Sequence, residues 1–307
     1  MKATITFFKK ETVLAVSLVL AVISCFFVPP DGEYAGYIDV RVIALLFSLM
    51  AVMAGFRSLF VFRRIGGALL KKTKTTLSLC AVLVYLCFFS SMLVTNDVAL
   101  ITFVPFAIEV LLMCGRKELI LPVAVFQTIA ANLGSMLTPP GNPQNLFLYS
   151  ISGMTVSEFV AVMLPFSALS FIMLAISLLI IKRGKIELPE NKAVYPALNM
   201  KRLIMYIVLF VVCLLAVLHI INYFIALIAV DRRIFGRIDY GLLLTFVALF
   251  VLVGNLARID AVYGFIYGIT TDHPFAISVG ASQIISNVPA ALLISGFTDN
   301  YTEILKG

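Results

Sequence analysis

The chain has 307 residues, of which 62% are hydrophobic and 13% charged. Soluble domains run at ~25% charged and ~45–50% apolar, so a water-facing fold is excluded; at ~20 apolar residues per crossing the length fits an all-α polytopic membrane protein of about eight to ten segments with no soluble catalytic domain. The net charge of +7 does not point to nucleic acid, because Lys and Arg sit beside apolar runs, as the positive-inside rule requires of cytoplasmic loops.

In chain order the apolar runs fall at 12–28, 41–62, 76–94, 98–114, 118–133, 144–150, 157–181, 203–230, 240–257 and 275–297, broken by charge or by Pro and Gly. The first follows Lys9 and Lys10 and is read as an uncleaved helix, since no A-x-A site follows and many spans come later. Five clusters hold 19 of the 23 basic residues: Lys2/Lys9/Lys10, Arg63/Arg64/Lys71/Lys72/Lys74, Arg116/Lys117, Lys182/Arg183/Lys185/Lys192/Lys201/Arg202 and Arg232/Arg233/Arg237. All five are expected in the cytoplasm, with the N-terminus, whereas the loop 29–39, with three acids and no base, is expected outside.

With those sides assigned, the first helix goes out, the second returns, and 76–114 is a hairpin that leaves and re-enters the cytoplasmic face. The material at 118–150 goes out and 157–181 comes back. The loop 182–201, with Pro189 and Pro196, divides the chain into halves 1–190 and 191–307. In the second half, 203–230 is long for one crossing and short for two at ~1.5 Å rise per residue. Keeping Arg232, Arg233 and Arg237 inside requires two short tilted spans meeting near His219–Asn222. That makes 240–257 run outward and opens the last hairpin, 275–297, from the outside, opposite to the first.

The segment 130–145, AANLGSMLTPPGNPQN, is the most informative. The run 118–133 is only ~24 Å long at ~1.5 Å per residue, too short for a ~30 Å core, and Pro139, Pro140 and Pro143 then forbid continuation. The break therefore falls inside the membrane, where backbone without helical hydrogen bonds survives only if protein or a wet cavity satisfies it. Freed carbonyls beside Ser135 and Thr138 make an oxygen cage suited to an alkali cation. Asn142 is placed to cap a new helix with Pro143 at its first position, leaving N–H groups and a positive dipole end for an anion. The alternative is an ordinary loop between two crossings; the short flanking helices and the density of Asn, Gln, Thr and Gly weigh against it.

Two further interruptions stand in the hairpins. At 92–100 the tip carries Thr95, Asn96 and Asp97, in which Thr95 and Asn96 are placed to cap the returning arm and Asp97 is a carboxylate in an apolar region, a functional candidate by its depth. If that hairpin spans fully, the same residues are a hydrated turn. Ser286-Asn287-Val288-Pro289-Ala290 echoes Thr95-Asn96-Asp97-Val98-Ala99 at a distance of 191 residues, one motif in each half. Corresponding interruptions in two halves point to inverted repeats around a shared midplane site.

Other polar residues are weaker candidates. Glu109 is read either as a proton relay or as a partner of Arg116. Arg57 is expected to snorkel to the cytoplasmic interface, and His219, His273, Tyr34 and Tyr37 are read as interfacial. Cys25, Cys80, Cys87, Cys114 and Cys213 form no CxxC pair and are read as small packing residues.

At these residues the chain resembles the ion transporter superfamily, specifically its citrate transporter-like permeases, related to divalent anion:sodium symporters and arsenite permeases. The matching pieces are Thr95–Pro105, Asn132–Asn145 with its Pro-Pro-Gly-Asn-Pro run, Asp239–Val247 with Val253-Gly254-Asn255, and Ser286–Ala291. The resemblance implies two inverted repeats, each with a re-entrant hairpin and a broken helix, a dimerising scaffold and elevator-type movement. Carried over, Thr95, Asn96 and Asp97 stand at the first tip and Ser286, Asn287 and Val288 at the second; together with the interrupted segment, the expected solute and ion site takes in Thr95, Asn96, Asp97, Asn132, Ser135, Thr138, Pro139, Gly141, Asn142, Asn145, Ser286, Asn287, Val288 and Pro289, with Na⁺ expected at Thr95, Asn96, Asp97, Ser135 and Thr138. Asp97 and Val288 depart from the Ser-Asn-Thr tips of the symporters, and an acid at the tip repels an anion unless it is protonated or cation-bound. Family members continue past the second hairpin, whereas this chain ends soon after it at Gly307, so the second repeat is expected to be incomplete.

The expected function is secondary active transport of a small anion, an organic carboxylate or inorganic oxyanion, coupled to Na⁺ or H⁺. The protein is expected to be a multi-pass homodimer in the lipid bilayer of a bacterial inner membrane, with no cofactor beyond the coupling ion and no nucleic-acid partner. The alternatives are a sodium/proton antiporter or metalloid exporter of the same superfamily, or an inactive structural fragment. An intramembrane enzyme is disfavoured, because no GxSxG, HExxH or DDxxD motif is present.

Overall fold

The structure, a computed structural model, describes residues 11–70, 73–186, 196–228 and 232–307. Lys2, Lys9, Lys10, Lys71, Lys72, Lys192, Pro189 and the boundary at 190/191 lie outside the described residues. The first part of the chain forms α1 (Thr12–Phe27), α2 (Tyr34–Tyr37), α3 (Val40–Ser58), α4 (Val61–Leu70), α5 (Thr76–Ser91), α6 (Asn96–Met113), α7 (Ile120–Ser135), α8 (Pro143–Ser152) and α9 (Val156–Leu178). The second forms α10 (Met200–Val217), α11 (Tyr223–Ile228), α12 (Tyr240–Ala257), α13 (Asp260–Asp272), α14 (Pro274–Ile285), α15 (Asn287–Ser295) and α16 (Tyr301–Lys306). Among the described residues there is no strand, and six stretches are long and apolar enough to cross a membrane: α3, α6, α9, α10, α12 and Lys117–Ser135, which adds a 3-10 turn to α7. The protein is an all-α polytopic membrane protein.

The helices begin where the sequence supplies side-chain acceptors. Asp39 accepts from the Val42 amide at 3.0 Å to start α3, and Asp239 accepts from Leu242 at 3.0 Å to start α12. Thr75 with Ser78 and Thr155 with Glu158 form reciprocal capping boxes at α5 and α9. Gly153, at φ 67°, ends α8 in the left-handed conformation that favours glycine.

Basic residues converge on one face. The Thr76 hydroxyl donates to the Lys182 carbonyl at 2.6 Å, and Arg116 donates to the Lys185 carbonyl at 3.1 Å. Arg64 donates to the Pro196 carbonyl, and Arg63 pairs with Glu109 at 3.8 Å. Both feet of the α5–α6 hairpin therefore stand on the same basic face, as a hairpin that leaves and re-enters one side requires. Glu109 pairs with Arg63, not with Arg116, whose carboxylate partner is Glu118 at 3.6 Å.

The opposite face is built from the acidic loop. Arg258, at the end of α12, pairs with Asp31 at 2.7 Å and donates to the Tyr37 hydroxyl at 2.9 Å. The guanidinium hydrogen bond holds the Asp31 carboxyl below its ordinary range. Asn255 donates to Ser24 and to Tyr34, each at 2.9 Å, while Gly241 lies beside Glu11, so α1 and α12 run parallel. The antiparallel pair is α3 with α10: Arg41 donates to the Ala216 carbonyl at 3.3 Å, and Gly55 lies against the Tyr206 ring. Helix α12 thus ends on the acidic face. There Gly296 abuts Val253, and Phe297 lies 5.7 Å from Tyr263. The feet of the second hairpin, α14–α15, therefore stand on the face opposite to those of the first.

Three boundaries differ from the sequence reading. The run 41–62 is divided at Phe60, φ 55°, into α3 and the amphipathic α4. The run 203–230 is not two comparable tilted spans: α10 has 18 residues, the chain turns at His219, φ 62°, and the return is made by the short α11 and a 3-10 segment, Arg232–Arg237. Helix α13 has no counterpart among the apolar runs, because Asp260, Asp272 and four glycine or threonine residues, Gly264, Gly268, Thr270 and Thr271, dilute its apolar character.

Candidate functional site

The tip of the first hairpin and the interruption between α7 and α8 meet at one level. Helices α5 and α7 run parallel in backbone contact: a Cβ on Gly134 would fall 2.0 Å from the Phe88 carbonyl oxygen and 2.7 Å from Ser91 Oγ. Only glycine permits that approach. Buried Gln127 bridges all three helices, its Nε2 donating to the Leu83 carbonyl at 3.0 Å and the Phe103 carbonyl at 3.3 Å. The Thr138 hydroxyl donates to the Met92 carbonyl, and Asn96 Nδ2 donates to Asn132 Oδ1 at 2.9 Å.

Helix α7 ends at Ser135, a 3-10 turn occupies Pro139–Gly141, and α8 restarts at Pro143. At ~1.5 Å per residue α7 is ~24 Å and α8 ~15 Å, so neither helix alone covers a ~30 Å core. The carbonyls released by the break do not stand open. Asn145 Nδ2 lies 3.2, 3.1 and 3.2 Å from the carbonyl oxygens of Ser135, Met136 and Thr138, its two hydrogens shared among the three. The oxygen cage expected for a cation is thus filled by an amide. Asn142 occupies the cap position of α8 without capping it; its Nδ2 donates to Ser135 Oγ at 2.6 Å, which in turn donates to the Asn132 carbonyl at 2.9 Å. Asn142 Oδ1 is buried without a partner. Gly141 is required because a Cβ there would fall 2.1 Å from the Ser135 carbonyl oxygen.

The tip residues are not caps either. Thr95 precedes α6 without a side-chain cap, and Asn96 Oδ1 accepts from the Asp97 amide at 2.9 Å. Asp97 follows it at the start of α6 and is exposed. In the second hairpin Ser286 forms the tip at φ 75°, Ser286 and Asn287 are exposed, and Val288 and Pro289 turn inward. Among the described residues no hydrogen bond joins this tip to the first. The link between them is α15, which packs along α8.

Residues 4–300 match the family described as citrate transporter. The chain belongs to the citrate transporter family. An uncharacterized transporter of Methanocaldococcus jannaschii is 32% identical over 279 residues, covering 88% of this chain and 75% of that protein. The inner membrane protein YbiR of Escherichia coli is 31% identical over 291 residues, 89% of this chain and 75% of that one. A silicon efflux transporter of Oryza sativa subsp. japonica is 30% identical over 135 residues, 44% of this chain and 27% of its own. The family and these relatives mark the protein as a membrane transporter.

Sequence reasoning missed Gln127 and the Asn255–Ser24–Tyr34 group. A lone amide within an apolar helix was the available signal, since at membrane depth it must find a backbone or side-chain partner.

Proposed function

We propose that this member of the citrate transporter family is a secondary active transporter of a small anion coupled to Na⁺ or H⁺. In this reading, the first hairpin tip and the α7–α8 interruption form one half of a site that moves across the membrane elevator-fashion. The observation that carries it is the Asn96–Asn132 hydrogen bond at 2.9 Å, which ties two breaks in regular structure together at one level. Around it stand an exposed carboxylate at Asp97, amide groups at Asn96 and Asn132, and the start of α8, which offers N–H groups to an anion. The carboxylate calls for a cation or proton to accompany the anion. In this reading the charge bias makes the basic face the cytoplasmic one, with the N-terminus on the same side of a cell membrane; the E. coli relative's inner-membrane name supports the location.

The test is counterflow and gradient-driven uptake in proteoliposomes with labelled citrate, succinate and phosphate, each under an imposed Na⁺ or pH gradient, with arsenite and silicic acid run alongside for the second reading. Uptake of one anion that rises with an inward gradient of one cation is the expected result; indifference to both gradients with every solute contradicts it. A metalloid exporter is the second reading, favoured by the silicon efflux relative; it predicts transport of arsenite or silicic acid with no response to carboxylates.

A further inference from the structure

A cavity of about 780 Å³ on the basic face is lined by Arg57, Arg63 and Arg237 with Ser58, Ile101 and Thr102 among its wall residues. These arginines come from three separate places: the last turn of α3, the first turn of α4 and the 3-10 segment before α12. Arg63 is partly neutralised by Glu109 at 3.8 Å. Arg57 and Arg237 have no carboxylate within ion-pair distance among the described residues. Asp97, one turn before Ile101 on α6, and Asp239, two residues beyond Arg237, are not among the residues that line the cavity. Three guanidinium groups facing one hollow with low-dielectric walls create a positive potential that focuses anions.

The wall supplies a direction as well as a charge. Ile101, Thr102 and Pro105 lie on α6, the returning arm of the hairpin, so the cavity runs from the basic face along the helix that carries Asn96 at its start. We propose that Arg57, Arg63 and Arg237 form an anion-binding vestibule that takes a small soluble carboxylate or oxyanion from the basic side and delivers it toward the first hairpin tip. Each guanidinium offers paired N–H donors that match a carboxylate or phosphate edge. The proposal deepens the transport reading by adding a site outside the hairpin tip, yet binding at the vestibule requires no turnover.

The experiment reads local potential and occupancy without transport. Ser58→Cys is placed in a Cys25→Ser/Cys114→Ser background, in inside-out vesicles and in proteoliposomes of phosphatidylcholine alone. Reaction rates are measured with an anionic and a cationic methanethiosulfonate reagent. Replacing Arg57 and Arg237 by Gln is expected to lower the anionic-to-cationic rate ratio about tenfold, and 0.5 M salt to erase most of that difference. Citrate or inorganic phosphate at millimolar concentration is expected to slow the anionic reagent in the parent and not in the arginine variant. A rate ratio unchanged by the double substitution overturns the proposal. So does protection that appears only when phosphatidylglycerol is added, because the occupant is then a lipid headgroup. If vestibule protection is present while uptake is absent, the transport reading fails and the vestibule stands; if uptake is present with no protection, the reverse holds. Lys74→Gln, a basic-face change away from the cavity wall, serves as the control expected to leave the ratio alone.

Discussion

The two hairpins carry related tips in different surroundings. In the first, arms of 16 and 18 residues pack against α7, Ser91 and Val94 are buried, and the polar groups of the tip find partners on Asn132 and Thr138. In the second, arms of 12 and 9 residues leave Ser286 and Asn287 exposed, with Ile284 at 85% exposure beside them. The same kind of interruption is thus fixed in one place and open in the other. The difference comes from the neighbour: a glycine-faced helix lies against the first tip, whereas α15 meets α8 through apolar side chains. Substitutions near the first tip should therefore cost stability, and those at the second should spare it.

Gly134→Ala gives the largest expected effect. Its Cβ would collide with the Phe88 carbonyl, which is backbone and moves only if α5 and α7 separate. Overpacking of this kind costs about 1–3 kcal/mol or more, read as earlier thermal exposure of buried Cys80 and Cys87 to a thiol-reactive dye in detergent. Unchanged melting would mean that the two helices are not in contact. Next is Asn145→Ala, which takes the amide donor from the Ser135 and Met136 carbonyls, while Thr138 keeps the Gly141 amide, and is expected to cost about 1–3 kcal/mol for buried unsatisfied groups. Asn145→Asp should be no better, because a carboxylate offers those carbonyls no proton.

The second hairpin should respond in the opposite sense. Ser286 has φ 75° and ψ 158°, a region open essentially to glycine alone. Ser286→Gly is expected to raise stability by about 1 kcal/mol through relief of that strain, and a drop would show that the hydroxyl has a structural partner. The smallest effect belongs to the acidic face. Asp31 has its pKa lowered by Arg258, so its contribution is present above the ordinary carboxylate pKa and is lost as pH falls through the lower, folded value. Asp31→Asn should remove that acid-side loss of melting temperature while leaving a slightly lower plateau at neutral pH.

Much of this organisation was legible in residues. The hairpin from 76 to 114 followed from basic residues at both feet, and the break at 135–143 from three prolines after a short apolar run. The opposite sense of the last hairpin followed from assigning Arg232–Arg237 to the basic side. What the sequence could not convey is which polar group meets which. Asn142 and Thr95 stand at helix starts, where a cap is the local expectation, yet at Asn142 a hydroxyl brought back by the 3-10 turn competes for the side chain. Asn145 lies three residues inside a helix, and only the chain reversal carries Ser135, Met136 and Thr138 to it. The cavity brings Arg57 and Arg63, six residues apart, together with the distant Arg237, and in sequence the first reads as a snorkelling cation and the other two as members of cytoplasmic clusters.

The contact between hairpin tip and broken helix is tested most directly by counterflow of the transported anion in proteoliposomes containing equal amounts of folded parent, Asn96→Ala, Asn132→Ala and the double variant. Each single substitution should reduce exchange by at least tenfold, and the double should be no worse than either, as for two groups that act through one hydrogen bond. Exchange at the parental rate in all three variants would contradict a solute site at this junction.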